Sequence, residues 1–202
     1  MTSNSRVALI VGAGSRLGGQ LARGLAAGGV RVALNDLLPN HIETLAAELN
    51  TSGFQAAAHP ADLSRKLALQ TMLQEVLEAW ERIDILVFIP SVQPSGPLLD
   101  LDEWDWHRAL DLNLSAAFLC MQSAGRIMRQ LGGGVMVNVL EPSPIASPVY
   151  EAATAGLAAL TQAASAEFAA HNIRVQSFSG DQADVKTILQ VCLEERSQIS
   201  SS

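Results

Sequence analysis

Near its amino terminus the chain reads Val7-Ala8-Leu9-Ile10-Val11-Gly12-Ala13-Gly14-Ser15-Arg16-Leu17-Gly18-Gly19. Five apolar residues without a polar break are the pattern of a strand buried on both faces. The glycines after them permit positive φ and close approach of the backbone to other groups. The segment from Leu17 to Ala27 then has helical period. A helix starting there turns free N–H groups and its positive dipole end toward the turn. Strand, glycine turn and helix in this order are the setting in which such a turn cradles the pyrophosphate of a dinucleotide. A tight turn with no ligand is the plainer alternative. The candidate phosphate contacts are Gly12, Gly14, Ser15, Arg16, Leu17 and Gly18. Asp36 lies about 20 residues beyond the turn, where a carboxylate accepts from ribose hydroxyls and repels a 2′-phosphate. Arg16 pulls the other way, and Leu37 adds no second positive charge. The balance favours NAD, with NADP as the alternative.

The same rhythm continues outward. Apolar runs at Arg6–Val11, Val30–Asn35, Phe54–Ala58, Ile83–Ile89, Val135–Leu140 and Ile173–Phe178 read as strands. Between them lie helical segments. One carries Leu69, Met72, Leu73, Val76, Leu77 and Trp80 on a stripe, with Asp62 or Ser64 as cap. Another carries Ile42, Leu45 and Leu49, with Asn40 as cap. A long helix is predicted from Asp102 to Gln130 and an alanine-rich one from Val149 to His171. Alternating strands and helices imply parallel strands with right-handed crossovers. The expectation is an α/β, three-layer, doubly wound Rossmann fold of sheet order 3-2-1-4-5-6, a single domain over 1–195 with a frayed tail at 196–202.

Composition narrows the classes. The 202 residues are 49% apolar and 16% charged, with net charge −7. That is too apolar for disorder and too acidic for a general nucleic-acid or anionic-membrane surface. No run approaches the roughly 18–20 apolar residues that span a bilayer. The first apolar run reads as a strand and not as a signal peptide, so a cytoplasmic protein is expected. Cys120 and Cys192 are too few for a disulfide framework. His41, His59, His107 and His171 have no ligand spacing, and no metal is expected.

Further motifs sit in a familiar order. Ala61-Asp62-Leu63 follows the third strand, and Asp111-Leu112-Asn113-Leu114 lies in the long helix. Gly133 to Asn138, Tyr150 and Ile173-Arg174-Val175 come later. With the glycine turn, these residues resemble the short-chain dehydrogenase/reductase family over nearly the whole chain, from Arg6 to about Glu195. The turn is similar to TGxxxGxG, with Val11 for the Thr and Arg16 for the middle Gly. Arg before Leu-Gly is similar to the variant turn of pteridine-reductase-like members. The resemblance implies that Asp62, with Leu63, contacts adenine and that Asn113 supports a water relay. It also implies hydride transfer between a nicotinamide and a carbonyl or alcohol, with Tyr150 as acid/base.

The departures fall on the chemistry. The family pattern has a Lys four residues after the Tyr, which lowers the phenol's pKa; here Thr154 stands there. Lys66 and Lys186 are the two lysines, and neither is near Tyr150 in sequence. Glu141 occupies the position of the substrate-orienting Ser, in a shortened loop that carries Pro142, Pro144 and Pro148. Ser143 or Ser147 could stand in for it. Phe88-Ile89-Pro90-Ser91 replaces NNAG and could close over the nicotinamide space, which would leave the coenzyme site unoccupied. Ser179-Gly180 replaces PG, and the substrate lid and the seventh strand are expected to be missing. An unassisted phenol, with pKa near 10, is only about 0.1% ionised at pH 7, and lowering that pKa by ~3 units corresponds to about 4 kcal/mol. Thr154 cannot supply this, and a nearby Glu141 would oppose it.

These readings point to a dinucleotide-binding member with a degraded site, non-catalytic or weakly active. The alternatives are an active oxidoreductase using Tyr150 and Asn113, and a subunit that partners an active relative. Small residues along the Tyr150 helix, with the resemblance, suggest a homodimer or tetramer through the two long helices. The cluster Asp100, Asp102, Glu103 and Asp105 reads as a complement to a helix N-terminus. Trp104 and Trp106 are expected on different faces of that helix.

Overall fold

The computed structural model describes residues 5–142, 145–179 and 184–194. Its strands are β1 (Val7–Val11), β2 (Arg31–Asp36), β3 (Ala56–Pro60), β4 (Ile85–Phe88), β5 (Gly134–Leu140) and β6 (Ile173–Ser179). They form one parallel sheet of order β3-β2-β1-β4-β5-β6. This is the predicted doubly wound order. β1 can take an interior place because all five of its residues are apolar, and all five are buried.

Helices α1 (Arg16–Ala27), α2 (Pro39–Thr51) and α7 (Val185–Leu193) cover one face. There Leu21, Leu25, Ile42 and Ile188 pack with Ile10, Leu34 and Val137. The other face carries α3 (Lys66–Trp80), α5 (Ala116–Gln130) and α6 (Pro148–Phe168). There Leu69, Met72, Met121 and Leu157 pack with Leu9, Leu86 and Met136. No helix among the described residues is long and apolar enough to cross a membrane.

The long helix expected from Asp102 to Gln130 is present but interrupted. It consists of α4 (Glu103–Leu110), a π turn over Asp111–Ser115, and α5. A π turn adds a residue to the helical repeat and re-aims the helix beyond it. Asn113 sits in it. Asp102 caps α4 by accepting from the Trp104 N–H at 2.7 Å, as the acidic cluster suggested. Trp104 is exposed and Trp106 is half-buried.

Three local expectations are corrected. Asn40 does not cap α2; Leu38 precedes a helix that begins at Pro39, whose fixed φ suits the first helical position. Neither Asp62 nor Ser64 caps α3. Arg65 takes that place without a side-chain bond, while Ser64 donates its N–H and hydroxyl to Asp62 Oδ1 in a turn ahead of the helix. The third strand begins at Ala56, because Gly53, at φ +86°, still belongs to the turn and Phe54 lies outside the strand.

The two sheet edges differ. On β3, Asn50 clasps Ala56, accepting from its N–H at 3.0 Å and donating to its carbonyl at 2.9 Å. Pro60 has no donor to offer. Both features discourage further strand pairing. On β6 no seventh strand follows among the described residues. Gly180, after which the substrate lid was expected to be missing, Ser143 and the 196–202 tail lie outside the described residues.

α7 is held at the opposite end of the sheet. Arg6 donates to the carbonyls of Cys192 and Leu193 at 2.9 and 3.0 Å. Arg174 pairs with Glu194 at 2.6 Å. Cys120 and Cys192 are buried, and desolvation pushes both thiols up to about 12. An unfolded thiol ionises near 9.0. Between those values the folded state holds more protons, so stability is intact below about pH 9 and falls as pH rises toward 12. The expected outcome is a Tm that declines above pH 9 in a calorimetric series. Neither thiol should react with iodoacetamide in the native protein, and both should react in urea.

Candidate active site

The glycine turn is fixed by one carbonyl. The N–H groups of Gly12 and Ala13 both donate to the Asn35 carbonyl at 3.0 Å, which ties the end of β1 to the end of β2. Gly12 adopts φ +81°, and a Cβ there would lie 2.6 Å from the Ile89 carbonyl oxygen. A Cβ on Gly18 would run into the Gly12 carbonyl. These two glycines are therefore required by the chain's own packing, ligand or none. Ser15 caps α1: its hydroxyl accepts from the Gly18 N–H at 3.0 Å and donates to the Gly12 carbonyl at 2.8 Å. The Gly19 N–H donates to the Ser15 carbonyl. That leaves the N–H groups of Arg16 and Leu17 at the start of α1 without a partner among the described residues. The Arg16 side chain beside them is exposed.

Asp36 lies at the end of β2 as expected. Its Oδ2 accepts from the Gly14 N–H at 3.0 Å and its Oδ1 from the Leu38 N–H at 3.2 Å. The carboxylate thus stands against the turn with lone pairs still available. Asp62 is more fully engaged. Besides Ser64, it pairs with Arg108 of α4 at 2.9 Å. Burial works against its ionisation, but the Ser64 and Arg108 bonds outweigh it and hold the carboxyl below its ordinary range. Leu63 is buried beside it. Nothing in the sequence flagged Arg108, since the pair joins residues far apart in the chain.

Asn113 is buried, and both ends of its side-chain amide are bound. Its Oδ1 accepts from the N–H groups of Ser91 and Val92 at 3.1 Å each, and its Nδ2 donates to the Val92 carbonyl at 2.6 Å. These bonds fasten the loop after β4 to the π turn. Ser147 fastens the same loop from α6, donating to the Pro94 carbonyl at 2.6 Å.

Tyr150 is only 1% exposed. Its hydroxyl donates to the Glu141 main-chain carbonyl at 2.9 Å. Burial raises the phenol's pKa, a hydrogen bond from Gln93 opposes this, and the Glu141 carboxylate adds to the rise. No cation acts on it among the described residues. Thr154 is one turn further along α6, and its hydroxyl donates back to the carbonyls of Tyr150 and Glu151 at 3.0 and 3.1 Å. Gln93 lies between Val92 and Pro94 in a loop, where no sequence pattern singles it out.

Between the turn and the β4 loop runs a crevice lined by Gly12, Asp36, Leu37, Leu63, Ile89, Val92 and Leu112. It leaves about 30 Å³ open. That is about one water, against roughly 300–1,000 Å³ for most small-molecule sites. The free N–H groups at α1 fit a phosphate. The crevice beside them has to widen before an adenosine enters. Larger hollows of about 720 and 730 Å³ lie along β6 and β3, and neither is lined by Tyr150 or the turn. No cluster of metal ligands occurs among the described residues.

Sheet order, turn and tyrosine position together define a doubly wound domain of the dehydrogenase type. A family profile described as short chain dehydrogenase matches residues 6–187, and the chain belongs to that family. A dehydrogenase subunit from Thauera aromatica, (2S)-[(R)-hydroxy(phenyl)methyl]succinyl-CoA dehydrogenase subunit BbsD, is 31% identical over 178 residues. The match covers 87% of this chain and 72% of the relative. An NAD⁺-bound xylitol dehydrogenase superposes with TM-score 0.81 at 26% identity, over 92% of this chain and 75% of that one. A metagenomic short-chain oxidoreductase in complex with NADP superposes with TM-score 0.84 at 25% identity, over 95% and 92%.

Replacing Asn113 by Leu should strand three main-chain groups of the β4 loop. The expected loss is roughly 1–3 kcal/mol for each of these groups that stays cut off from water. Urea denaturation would measure it; a loss under about 0.5 kcal/mol would contradict the anchoring role.

Proposed function

We propose that this chain is a dinucleotide-binding member of the family whose proton-transfer step is disabled or reduced to a residual rate. The observation that carries this is the Tyr150 hydroxyl, buried and given to the Glu141 carbonyl, with no cation acting on it among the described residues. A catalytic phenol must meet the substrate oxygen and must ionise within reach of neutral pH. The missing ~3 units of pKa lowering represent about a thousandfold in ionisation. The N–H groups of Arg16 and Leu17, with the exposed Arg16 guanidinium, would hold the pyrophosphate. When bound, the nicotinamide supplies or accepts hydride. Asp36 favours NAD over NADP by repelling a 2′-phosphate. The NAD⁺- and NADP-bound neighbours support a coenzyme of this class.

An active oxidoreductase, with Tyr150 as acid/base, is the second reading. What favours it is the Gln93 bond to the phenol and a relative that is itself named a dehydrogenase. Assembly is proposed through α5 and α6, where Ala152, Ala155, Ala159, Ala163 and Ala166 form an exposed smooth stripe. A second copy or an active relative could pack against it.

NADH titration by calorimetry should show binding, weaker for NADPH. A panel of carbonyl substrates should show no turnover or a rate about a thousandfold below an active relative, and Thr154→Lys should raise any residual rate. Ready turnover that vanishes in Tyr150→Phe would overturn the proposal and establish the second reading.

A further inference from the structure

At the end of the sheet where β5 and β6 begin, opposite the glycine turn, the last turns of α5 and α6 enclose a hollow of about 200 Å³. Gln122, Arg126 and Arg129 line it from α5. Spacings of four and three residues put all three on one face of that helix. Glu167 and Phe168 of α6 line the other side, with His171 of the 3₁₀ turn Ala169–His171. The Phe168 ring packs on Gly125, where a Cβ would lie only 3.0 Å from it, so the two helix ends come close together.

The arginines set this hollow apart. Elsewhere the guanidiniums are engaged inside the molecule. Arg23 pairs with Glu48, Arg82 with Asp84, Arg174 with Glu194, and Arg65 and Arg108 with Asp62. Arg6 holds the end of α7, and Arg31 also has a partner. Among the described arginines, Arg16 at the glycine turn and Arg126 and Arg129 here are left without a hydrogen bond or ion pair. Two of these three line one hollow, in a chain of net charge −7. Arg129 lies in the last turn of α5, where it complements the helix dipole. Arg126, further from the helix end, does not share that role. Gln122 and His171 bring further N–H donors that have no partner among the described residues.

Donors without acceptors call for an anion. The space equals roughly seven waters. It admits one tetrahedral group with its substituent left in solvent, and falls short of the roughly 300–1,000 Å³ that encloses a whole small molecule. A phosphomonoester carries about −1.5 to −2 charges and three strong acceptor oxygens. It suits two guanidinium forks better than a carboxylate with a single charge. We propose that this hollow binds the phosphate group of a small phosphomonoester, held by Arg126 and Arg129 with Gln122 and His171 as further donors. Glu167 is the opposing charge in its wall and limits the affinity.

The probe is methyl phosphate, titrated at low ionic strength into the intact protein while the arginine side-chain Nε–H signals are followed by NMR. The Arg126 and Arg129 signals, assigned from Arg126→Gln and Arg129→Gln, should shift and saturate. Each single variant should weaken binding about three- to tenfold, and the double variant should abolish saturation. Glu167→Gln should tighten binding. These side chains are exposed, so the variants should keep the wild-type Tm. Methyl phosphate can also reach the glycine turn, so Arg16→Gln is the control and should leave the Arg126 and Arg129 shifts unchanged. Saturation at Arg16 alone would overturn this inference and leave the coenzyme reading standing. Acetate binding as tightly as methyl phosphate would overturn the phosphate assignment. Shifts that never saturate, whether the guanidiniums stay solvated or a second copy covers them, would overturn the site. Sedimentation with phosphatidic acid vesicles, without saturation by methyl phosphate, would overturn it in favour of a lipid surface.

Discussion

A buried amide must find partners for both its donor and its acceptor, and this requirement organises the functional end of the sheet. Asn35 and Asn113 are both about 2% exposed or less. The Asn35 main-chain carbonyl takes the two N–H groups that form the glycine turn, and its side chain separately donates to the carbonyls of His59 and Ala61. Asn113 binds the β4 loop from the π turn with both its side-chain oxygen and its nitrogen. Parallel strands end together on this side, and their loops have no ladder partners of their own. Without these side chains the loops would carry unpaired polar groups against an apolar core. Asn138 is the incomplete case. Its Nδ2 donates to Thr161, but its Oδ1 is buried without a partner among the described residues.

The fold was legible in the sequence because its signals are local. Five unbroken apolar residues in β1, helical stripes between strands and a glycine turn in context suffice to set the order 3-2-1-4-5-6. What failed to read through was end geometry. Pro39 outcompetes Asn40 at the start of α2, and Asp62 spends its oxygens on Ser64 and Arg108 before it can cap α3. The π turn was hidden because inserting one residue leaves the apolar stripe nearly intact. The site was legible only as a set of positions. Tyr150, Thr154, Glu141 and Asn113 were picked out by the family resemblance, but their partners were not. Asn113 meets the β4 loop and Tyr150 meets Gln93 across gaps that no periodicity encodes.

The glycines show how a motif can be right for two reasons. Gly12 and Gly18 are required because the Ile89 and Gly12 carbonyls occupy the space their side chains would fill. Read alone, they are therefore weak testimony for a ligand. The stronger sign is what the turn leaves over: two N–H groups at a helix start and an exposed guanidinium beside them.

The approach of a main-chain carbonyl after β5 to the start of α6 bears directly on the phenol. Glu141, directly after β5, lies close to the first turn of α6. There its carbonyl comes within 2.9 Å of the Tyr150 oxygen. Once a main-chain carbonyl accepts the phenol's proton, the hydroxyl is satisfied and buried, and ionising it means breaking that bond in a place that disfavours charge. A neutral amide such as Gln93 offsets one hydrogen bond's worth of this cost, about 1 kcal/mol, against the ~4 kcal/mol that a three-unit shift requires. The balance leaves the phenol above its ordinary pKa.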